Sequence, residues 1–413
     1  MWLRYAVNNS GELVYIEQVK RGKTDLHCPY CNGLLTAKKG QQIAPHFAHT
    51  SDTCRQTDRD VDLDLPAYDN FNLHLPPKVL QALRNFDEHG DLSRRDELMR
   101  FDLVKYNDFA RVNRWQLTKQ GQIPLGKLSM QLFCDEQEVM TLARHAELEA
   151  MANDVYDRPA LEAVIASTKH YSPEHATARV RLSNASGMDI DTALADLRIY
   201  RAQWRRVLGL ALYFLDIDNG RYHKIGVTSR PMAERLIEIK ADLKPLLGDV
   251  PIKVLNVFEH RGNAELYFKH RYAASIANLS ALTEYFTFAD PKPIITELRR
   301  MNSKTLSDFE QSVLSGQSAD VERRIRREEI EVKRRAAVVK GMNKAKARGT
   351  HIGRPALSDE LLLERYPAVA AALADGLPLS KIAEQTGVSI NTVKKVRQAL
   401  PTMPTYLGKT EEG

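Results

Sequence analysis

Three cysteines and two histidines near the N-terminus have the spacing of a metal site. Two thiolates that are two residues apart bind one face of a tetrahedral ion, and a second pair from a later segment completes the coordination. With His49 as third ligand the pattern is C-x2-C-x17-H-x4-C, and His46 is the alternative to His49. We expect structural zinc, against a redox or metal-free loop as the other reading. The expected ligands are Cys28, Cys31, His49 and Cys54.

Residues 379–398 have the features of a DNA-reading pair of helices. A helix-turn-helix needs a small residue where its helices approach, glycine at the turn and apolar residues inside. Ala383 and Gly387 meet the first two demands, and Ser389 is placed to cap the second helix. We therefore expect a helix-turn-helix that binds duplex DNA, the alternative being an ordinary helical hairpin. Its buried face should consist of Ile382, Val388, Val393 and Val396.

The DNA-facing side of this unit combines polar and basic residues. Upstream, Gly353-Arg354-Pro355 has no bulky side chain to keep it out of the minor groove, whose negative potential attracts Arg354. This arm and the following helices resemble the DNA-binding end of serine recombinases such as the Hin invertase, over residues 341–400. Besides Arg354, the expected DNA contacts are Ser389, Asn391, Thr392, Lys394, Lys395 and Arg397.

Aromatic and charged residues recur in a fixed order between residues 208 and 298. The segment Leu212-Tyr-Phe-Leu-Asp216 reads as a strand, and a second strand should end in His223-Lys-Ile-Gly226; Arg235, Glu265 and Glu284-Tyr-Phe286 follow. This order resembles the GIY-YIG nuclease superfamily, especially the phage-associated branch whose second motif reads Lys-Ile-Gly. The resemblance covers residues 210–288 and implies a short central sheet flanked by helices.

The resemblance also implies a role for each residue of the motifs. Tyr213 matches the tyrosine of the first motif, and Lys224 stands where the second motif usually has tyrosine. Arg235 matches the arginine of the helix, with Arg230 as a second candidate, and Glu265 matches the metal-binding glutamate. A single carboxylate can hold Mg²⁺ or Mn²⁺, and a guanidinium can bind a phosphate at two points. The Tyr213 phenol, if its pKa is perturbed by nearby positive charge, could relay a proton from water.

A further resemblance concerns the first sixty residues. The Cys-Pro-x-Cys run, Leu34-Leu35, Lys39-Gly40 and His46-Phe-Ala-His49 are similar to the N-terminal region of the competence protein CoiA family. The likeness covers about residues 6–54 and points towards DNA handling. Only the metal site is carried over from it, because the nuclease-like domain that follows in that family is not evident in this sequence.

The elements that must position these residues fall into five segments. The alternation of helical and β-compatible patterns predicts a multidomain α+β protein. We expect a small zinc-knuckle β domain (1–60), a mostly helical spacer (61–205), an α/β GIY-YIG domain (206–300), a long basic helix (301–350) and an all-α arm plus helix-turn-helix (351–413). Within the spacer, helices are expected over 136–153 and 191–207.

Composition narrows the class of protein. The 413 residues carry a net charge of +6, with a basic excess between 321 and 348 that can attract phosphates. No apolar run of about 18 residues appears, and the start lacks a cationic segment followed by an apolar one, so we expect a cytoplasmic protein without membrane partners. The predicted partner is double-stranded DNA, and the chain could also form a homodimer.

These patterns together predict a DNA endonuclease with one divalent metal, targeted by its helix-turn-helix. Such an enzyme would fit the biology of a mobile genetic element or a phage. The alternative is a non-catalytic DNA-binding regulator, or a recombination accessory protein, that keeps the GIY-YIG fold. An RNA-directed nuclease is a third reading, which would require binding that survives competition by duplex DNA.

Overall fold

The computed structural model describes residues 3–40, 43–59, 63–66, 75–279, 282, 284–349 and 357–400. The chain divides into two compact units, residues 1–326 and 327–413. Among the described residues, no helix is both long and apolar enough to cross a membrane.

The N-terminal residues form a five-stranded antiparallel sheet with the strand order β2-β1-β3-β4-β5. Alternating apolar residues such as Leu35 and Ala37 face a small core that also contains Leu26 and Phe47. This is the small β structure that the sequence predicts. Its strands are β1 (Tyr5–Val7), β2 (Leu13–Tyr15), β3 (Gly22–His27), β4 (Leu34–Lys38) and β5 (His46–His49).

The next region is mostly helical, and the two helices expected over 136–153 and 191–207 are confirmed. The sequence did not predict a short antiparallel hairpin within this region. In chain order the elements are α1 (Pro77–His89), α2 (Arg95–Arg100), β6 (Val104–Tyr106), β7 (Trp115–Leu117), α3 (Lys119–Gln122), α4 (Met130–Tyr156), α5 (Arg158–Ser167), α6 (Pro173–Asn184) and α7 (Ile190–Leu208).

A four-stranded sheet follows, with the order β10-β8-β9-β11. Leu212 and Phe214 face a core shared with α4, whereas Leu215 faces a second core. Helices therefore pack on both sides of this sheet. Its elements are β8 (Ala211–Ile217), β9 (Tyr222–Thr228), α8 (Met232–Leu247), β10 (Ile252–Phe258), α9 (Ala264–Arg271), β11 (Tyr285–Phe286) and α10 (Lys292–Arg300).

Both expected strands of this sheet extend beyond their predicted ends. The first, expected over Leu212–Asp216, spans Ala211–Ile217. The Lys-Ile-Gly motif lies inside β9, which pairs with β8 as far as Thr228, so Gly226 does not end the strand.

Helices α4 and α7 connect the regions that sequence patterns separate. A core that includes Leu148, Leu197 and Tyr200 also contains Tyr5 from the first sheet and Val313 from the region after the second sheet. Phe133 of α4 packs with residues of the second sheet. The segment expected to be a spacer, residues 61–205, therefore packs in one core with the N-terminal sheet and in another with the four-stranded sheet. The next helices are α11 (Asp308–Leu314) and α12 (Asp320–Ala347), the latter being the predicted charged helix.

Short helices make up the described C-terminal residues. Gly376 and Gly387 separate successive helices, and Gly387, which was predicted at the turn, has a φ of +68°. Ser389 caps the last helix by accepting a hydrogen bond from the backbone N–H of Thr392. Ile382, Val393 and Val396 are fully buried and Val388 packs against them, as expected. The helices are α13 (Asp359–Arg365), α14 (Pro367–Ala374), α15 (Leu379–Thr386) and α16 (Ile390–Ala399).

Candidate functional site

Four side chains of the N-terminal sheet meet at one point. The atoms that could ligate a metal, from Cys28, Cys31, His49 and Cys54, all lie within 4.8 Å of one another. Cys28 Sγ is 3.9 Å from Cys54 Sγ, and Cys31 Sγ is 3.3 Å from His49 Nε2. This Cys3His cluster could hold a structural metal such as zinc.

Local backbone structure brings the four residues together. Cys28 follows β3, and its carbonyl accepts a hydrogen bond from Asn32 N–H in a tight turn that places Cys31 beside it. His49 ends β5, where it pairs with Leu35 of β4. His46, the alternative ligand, lies at the other end of β5 with its Nδ1 2.9 Å from the Ala44 carbonyl oxygen. The strand register thus selects His49 over His46.

The electrostatics of the cluster fit the donor set of zinc. Burial and, to a smaller extent, the nearby thiols of Cys54 and Cys31 raise the pKa of Cys28 to about 12, although backbone hydrogen bonds oppose this shift. Burial lowers the pKa of His49, which keeps its imidazole neutral as metal binding requires. Burial alone would raise the pKa of Cys54, but hydrogen bonds, first of all to Thr57, lower it. Three thiols this close together can lose their protons when a metal ion binds, because its positive charge offsets the charges of the thiolates.

A buried ion pair fastens the cluster to α7, and it involves residues that the sequence analysis did not identify. Tyr30, between the first two cysteines, donates a hydrogen bond of 2.7 Å to Asp196 Oδ1. Arg59 donates to both carboxylate oxygens of Asp196 at 2.8 and 3.0 Å. Asp196 is 1% exposed. No spacing signal links positions so distant in the chain.

The second group of predicted residues meets on the four-stranded sheet. Tyr213 on β8 lies directly opposite Gly226 on β9. A Cβ atom on Gly226 would be 2.6 Å from the Tyr213 hydroxyl oxygen, so the glycine leaves the space that the phenol occupies. Arg235 Nε donates to that oxygen at 3.3 Å. The close approach explains why a glycine is needed at this position of the motif.

Lys224 and Glu265 belong to a network of buried charges. Lys224 Nζ is 2.7 Å from Glu284 Oε2. Lys269 Nζ is 3.1 Å from Glu284 Oε1 and 2.8 Å from Glu265 Oε1. The Lys224 ammonium also lies 4.3 Å from the ring centroid of Tyr285. Glu284 and Lys269 therefore join the two predicted residues, and neither was among the predicted site residues.

We call the residues Tyr213, Lys224, Arg235, Glu265, Lys269 and Glu284 the charge cluster. Burial is the largest influence on their pKa values. It raises the pKa of Tyr213 to about 12 despite the hydrogen bond from Arg235, so the expected effect of positive charge is outweighed. Burial also lowers the pKa of Lys224 and raises that of Glu265. Burial would raise the pKa of Glu284 as well, but Lys224 and Lys269 lower it to about 2.

The two candidate arginines share one carboxylate. Arg235 Nη1 is 2.7 Å from Glu238 Oε2, and Arg230 contacts the other oxygen of Glu238. Only Arg235 also reaches Tyr213. The structure thus brings Arg235, and not Arg230, to the phenol.

The C-terminal helices expose part of the predicted DNA-contacting set. Asn391, Lys394, Lys395 and Arg397 of α16 are exposed. Ser389 and Thr392 form the cap of that helix, with their hydroxyl oxygens 2.9 Å apart. Thr386, which stands where an apolar residue is more usual, donates its hydroxyl to the Ile382 carbonyl oxygen at 2.6 Å. The remaining predicted contact, Arg354, lies outside the described residues.

Comparison with known proteins supports the N-terminal resemblance. Residues 12–57 match the family described as Competence protein CoiA, N-terminal domain, a range that contains all four residues of the Cys3His cluster. No curated protein and no solved structure matches the chain.

The Cys3His cluster leads to a prediction about metal content. The purified full-length protein should contain one zinc per chain, and His49→Ala or Cys28→Ala should lose it because three ligands close a tetrahedral site poorly. His46→Ala is the matched control and should keep its zinc. Elemental analysis of the purified proteins measures this, and a chelator should lower the thermal midpoint of the wild type. Equal zinc in wild type and His49→Ala would contradict the assignment.

The ion pairs of Glu284 lead to a prediction about pH. Because the folded-state pKa of about 2 lies below the usual glutamate value, these pairs stabilise the fold above about pH 4.5. Their contribution is lost as the pH falls towards 2. Glu284→Gln should therefore lower the free energy of unfolding by about 1 kcal/mol at pH 7, a value reduced for partial solvent exposure.

Urea unfolding at pH 7, 5 and 3 measures this difference. The gap between wild type and Glu284→Gln should shrink at pH 3. Glu259→Gln, which removes an exposed carboxylate at the end of β10, is the control and should show little effect at any pH. A gap that is the same at all three pH values would show that Glu284 acts through packing and not through charge.

Proposed function

We propose that the protein is a DNA endonuclease that uses one divalent metal ion and binds its substrate through the C-terminal helices. The observation that carries this proposal is the meeting of Tyr213, Lys224, Arg235 and Glu265 in one charge cluster. These residues come from β8, β9, α8 and α9. Four elements that supply a phenol, an ammonium, a guanidinium and a carboxylate to one place favour phosphodiester chemistry.

The carboxylates of the charge cluster fit a hard divalent cation. Lys269 Nζ lies within 3.1 Å of both Glu265 and Glu284, so an ammonium occupies the space between two carboxylates. Oxygen ligands of this kind suit Mg²⁺ or Mn²⁺. In this proposal Glu265 exchanges its contact with Lys269 for the ion, which would supply charge stabilisation for the leaving 3′ oxygen.

The remaining residues of the charge cluster bind and orient the substrate. Arg235 is suited to hold the scissile phosphate, exchanging its contact with Glu238 for phosphate oxygens. Tyr213, with a pKa of about 12, stays protonated and can donate its hydroxyl proton in a hydrogen bond to a phosphate oxygen. Burial lowers the pKa of Lys224, but its ammonium is paired with Glu284, so Lys224 is suited to bind a phosphate oxygen and not to accept a proton from water.

The C-terminal helices support the DNA-binding half of the proposal. Gly387 at the turn, the Ser389 cap and the buried Val393 give α15 and α16 the local features of a helix-turn-helix. The exposed side of α16 carries Lys394, Lys395 and Arg397. Those cations suit phosphate contacts and major-groove edges.

One observation favours the alternative of a non-catalytic DNA-binding protein. Tyr213 is fully buried, and the Lys224 side chain is 4% exposed. Every charge of the cluster has a partner within it or on α8. A cluster that stays closed when DNA binds would stabilise the fold and perform no hydrolysis.

Plasmid cleavage distinguishes the two functions. With Mg²⁺ or Mn²⁺ the full-length protein should nick supercoiled plasmid, and Glu265→Gln should be slower by roughly 100-fold or more because the metal-holding carboxylate is removed. Glu259→Gln, an exposed glutamate six residues earlier, is the matched control and should cut at the wild-type rate. Cutting by Glu265→Gln at the wild-type rate would exclude the charge cluster as the catalytic site. If the wild type binds DNA but neither it nor the variants cut, the non-catalytic function is favoured.

Binding of duplex DNA should depend steeply on salt and on α16. In a mobility-shift titration without divalent cations, Lys394→Gln/Lys395→Gln should weaken binding and lower the slope of log affinity against log salt by about 2. The control Lys169→Gln/Lys244→Gln removes two exposed lysines, one from the loop after α5 and one from α8, and should leave the slope unchanged. Wild-type binding that does not respond to salt would overturn this part of the proposal.

A further inference from the structure

The hairpin of β6 and β7 carries features that neither the metal cluster nor the charge cluster uses. Its strands pair from Val104 with Leu117 to Tyr106 with Trp115, and the loop 107–114 is closed by a hydrogen bond of 2.7 Å from Asn107 N–H to the Arg114 carbonyl. The loop is therefore an ordered projection.

The base of the hairpin is fixed in the protein. Val104 belongs to a core with Leu83 and Leu98. Just beyond the hairpin, Thr118 N–H donates to the Leu103 carbonyl at 3.0 Å, and Gly121 approaches the same carbonyl so closely that a Cβ would lie 2.1 Å from its oxygen. The strands of the hairpin are therefore anchored in the protein at the end opposite the loop.

The tip of the hairpin exposes two apolar side chains. Phe109 is 98% exposed and Val112 is 77% exposed. Phe109 and Val112 lie three residues apart in one loop, and exposed apolar side chains of this kind are the type that DNA-bending proteins insert between base steps.

Cations flank these apolar residues. Lys105, Arg111 and Arg114 are exposed, against one carboxylate, Asp108. Arg114 Nη1 donates to the Tyr106 hydroxyl at 2.9 Å, which holds one cation beside the strands. The exposed surface of the hairpin therefore has two apolar side chains surrounded mainly by positively charged residues.

We propose that this hairpin is a DNA wedge, in which Phe109, supported by Val112, enters between base pairs of duplex DNA while Arg111 and Lys105 contact the phosphates. Apolar wedges of this type partly unstack a base step, and neighbouring cations offset the charge of the backbone. The choice of DNA as the partner rests on the proposed function. The hairpin shares no residue with the charge cluster or with α16.

The sequence of the tip favours DNA over an anionic lipid surface. Stable attachment to a bilayer requires more apolar area than two side chains supply, or a second membrane signal. The charged residues Asp108 and Arg111 are the chain neighbours of Phe109 and Val112. They would have to enter the lipid with these apolar residues, which costs free energy. Unstacking one base step needs only one or two wedge residues.

Plasmid topology tests the wedge without knowledge of the recognition sequence. Full-length protein is bound to relaxed plasmid in the absence of divalent cations, a topoisomerase that needs no metal then equilibrates the DNA, and the linking number is read on a gel. Wild type should shift the linking-number distribution because base unstacking unwinds the duplex. Phe109→Ala/Val112→Ala should abolish the shift while changing the affinity by less than about threefold, since most affinity comes from phosphate contacts.

Controls and alternative outcomes decide between the possibilities. Tyr171→Ala removes a similarly exposed aromatic residue outside the hairpin and should keep the full shift. A shift that persists in Phe109→Ala/Val112→Ala, or DNA binding by wild type without any shift, would overturn the wedge and leave the proposed function standing. If wild type does not bind DNA, the proposed function fails with it. Binding to anionic phospholipid vesicles that is lost in Phe109→Ala/Val112→Ala would assign the hairpin to membranes instead.

Discussion

The ion pair and hydrogen bond of the Asp196 carboxylate attach the N-terminal sheet to α7, and the arrangement of the first 326 residues depends on this attachment. The carboxylate is almost fully buried on α7 and is paired with Arg59 and Tyr30. Breaking a buried pair by removing one partner leaves an uncompensated charge, which costs about 3–5 kcal/mol. Through this contact the sheet that carries the Cys3His cluster is attached to α7, whose other neighbours include α4 and α11. The same helix ends two residues before β8, so one element fixes both the Cys3His cluster and the strand that carries Tyr213.

The charge cluster depends on a different constraint, the close approach of β8 and β9. Gly226 leaves room for the Tyr213 phenol, and Arg235 reaches the phenol from α8. The cluster alternates cations and carboxylates, with Glu284 between two lysines and Lys269 between two glutamates. In a poorly hydrated place, such alternation lets several charges coexist, because each has an opposite neighbour.

Residue spacing predicted the Cys3His cluster and the buried apolar face of α15 and α16, because both are encoded within short stretches of chain. The choice between His46 and His49 depended on strand register, which spacing does not contain. Glu284 could not be identified as a partner of Lys224, since the two lie 60 residues apart. The direction of the Tyr213 pKa depended on burial, which outweighs the nearby guanidinium. The β6–β7 hairpin was not predicted because its three-residue strands are too short for a periodic pattern.

The contact between Tyr30 and Asp196 has a consequence for how the chain folds during synthesis. Asp196 follows Tyr30 by 166 residues, which at ribosomal rates is a delay of roughly 10 to 30 seconds. During that time the N-terminal residues lack the helix that anchors them in the folded protein. A metal ion bound by the Cys3His cluster would hold the small sheet together until α7 emerges. In that case the supply of the metal would affect the early folding of the chain.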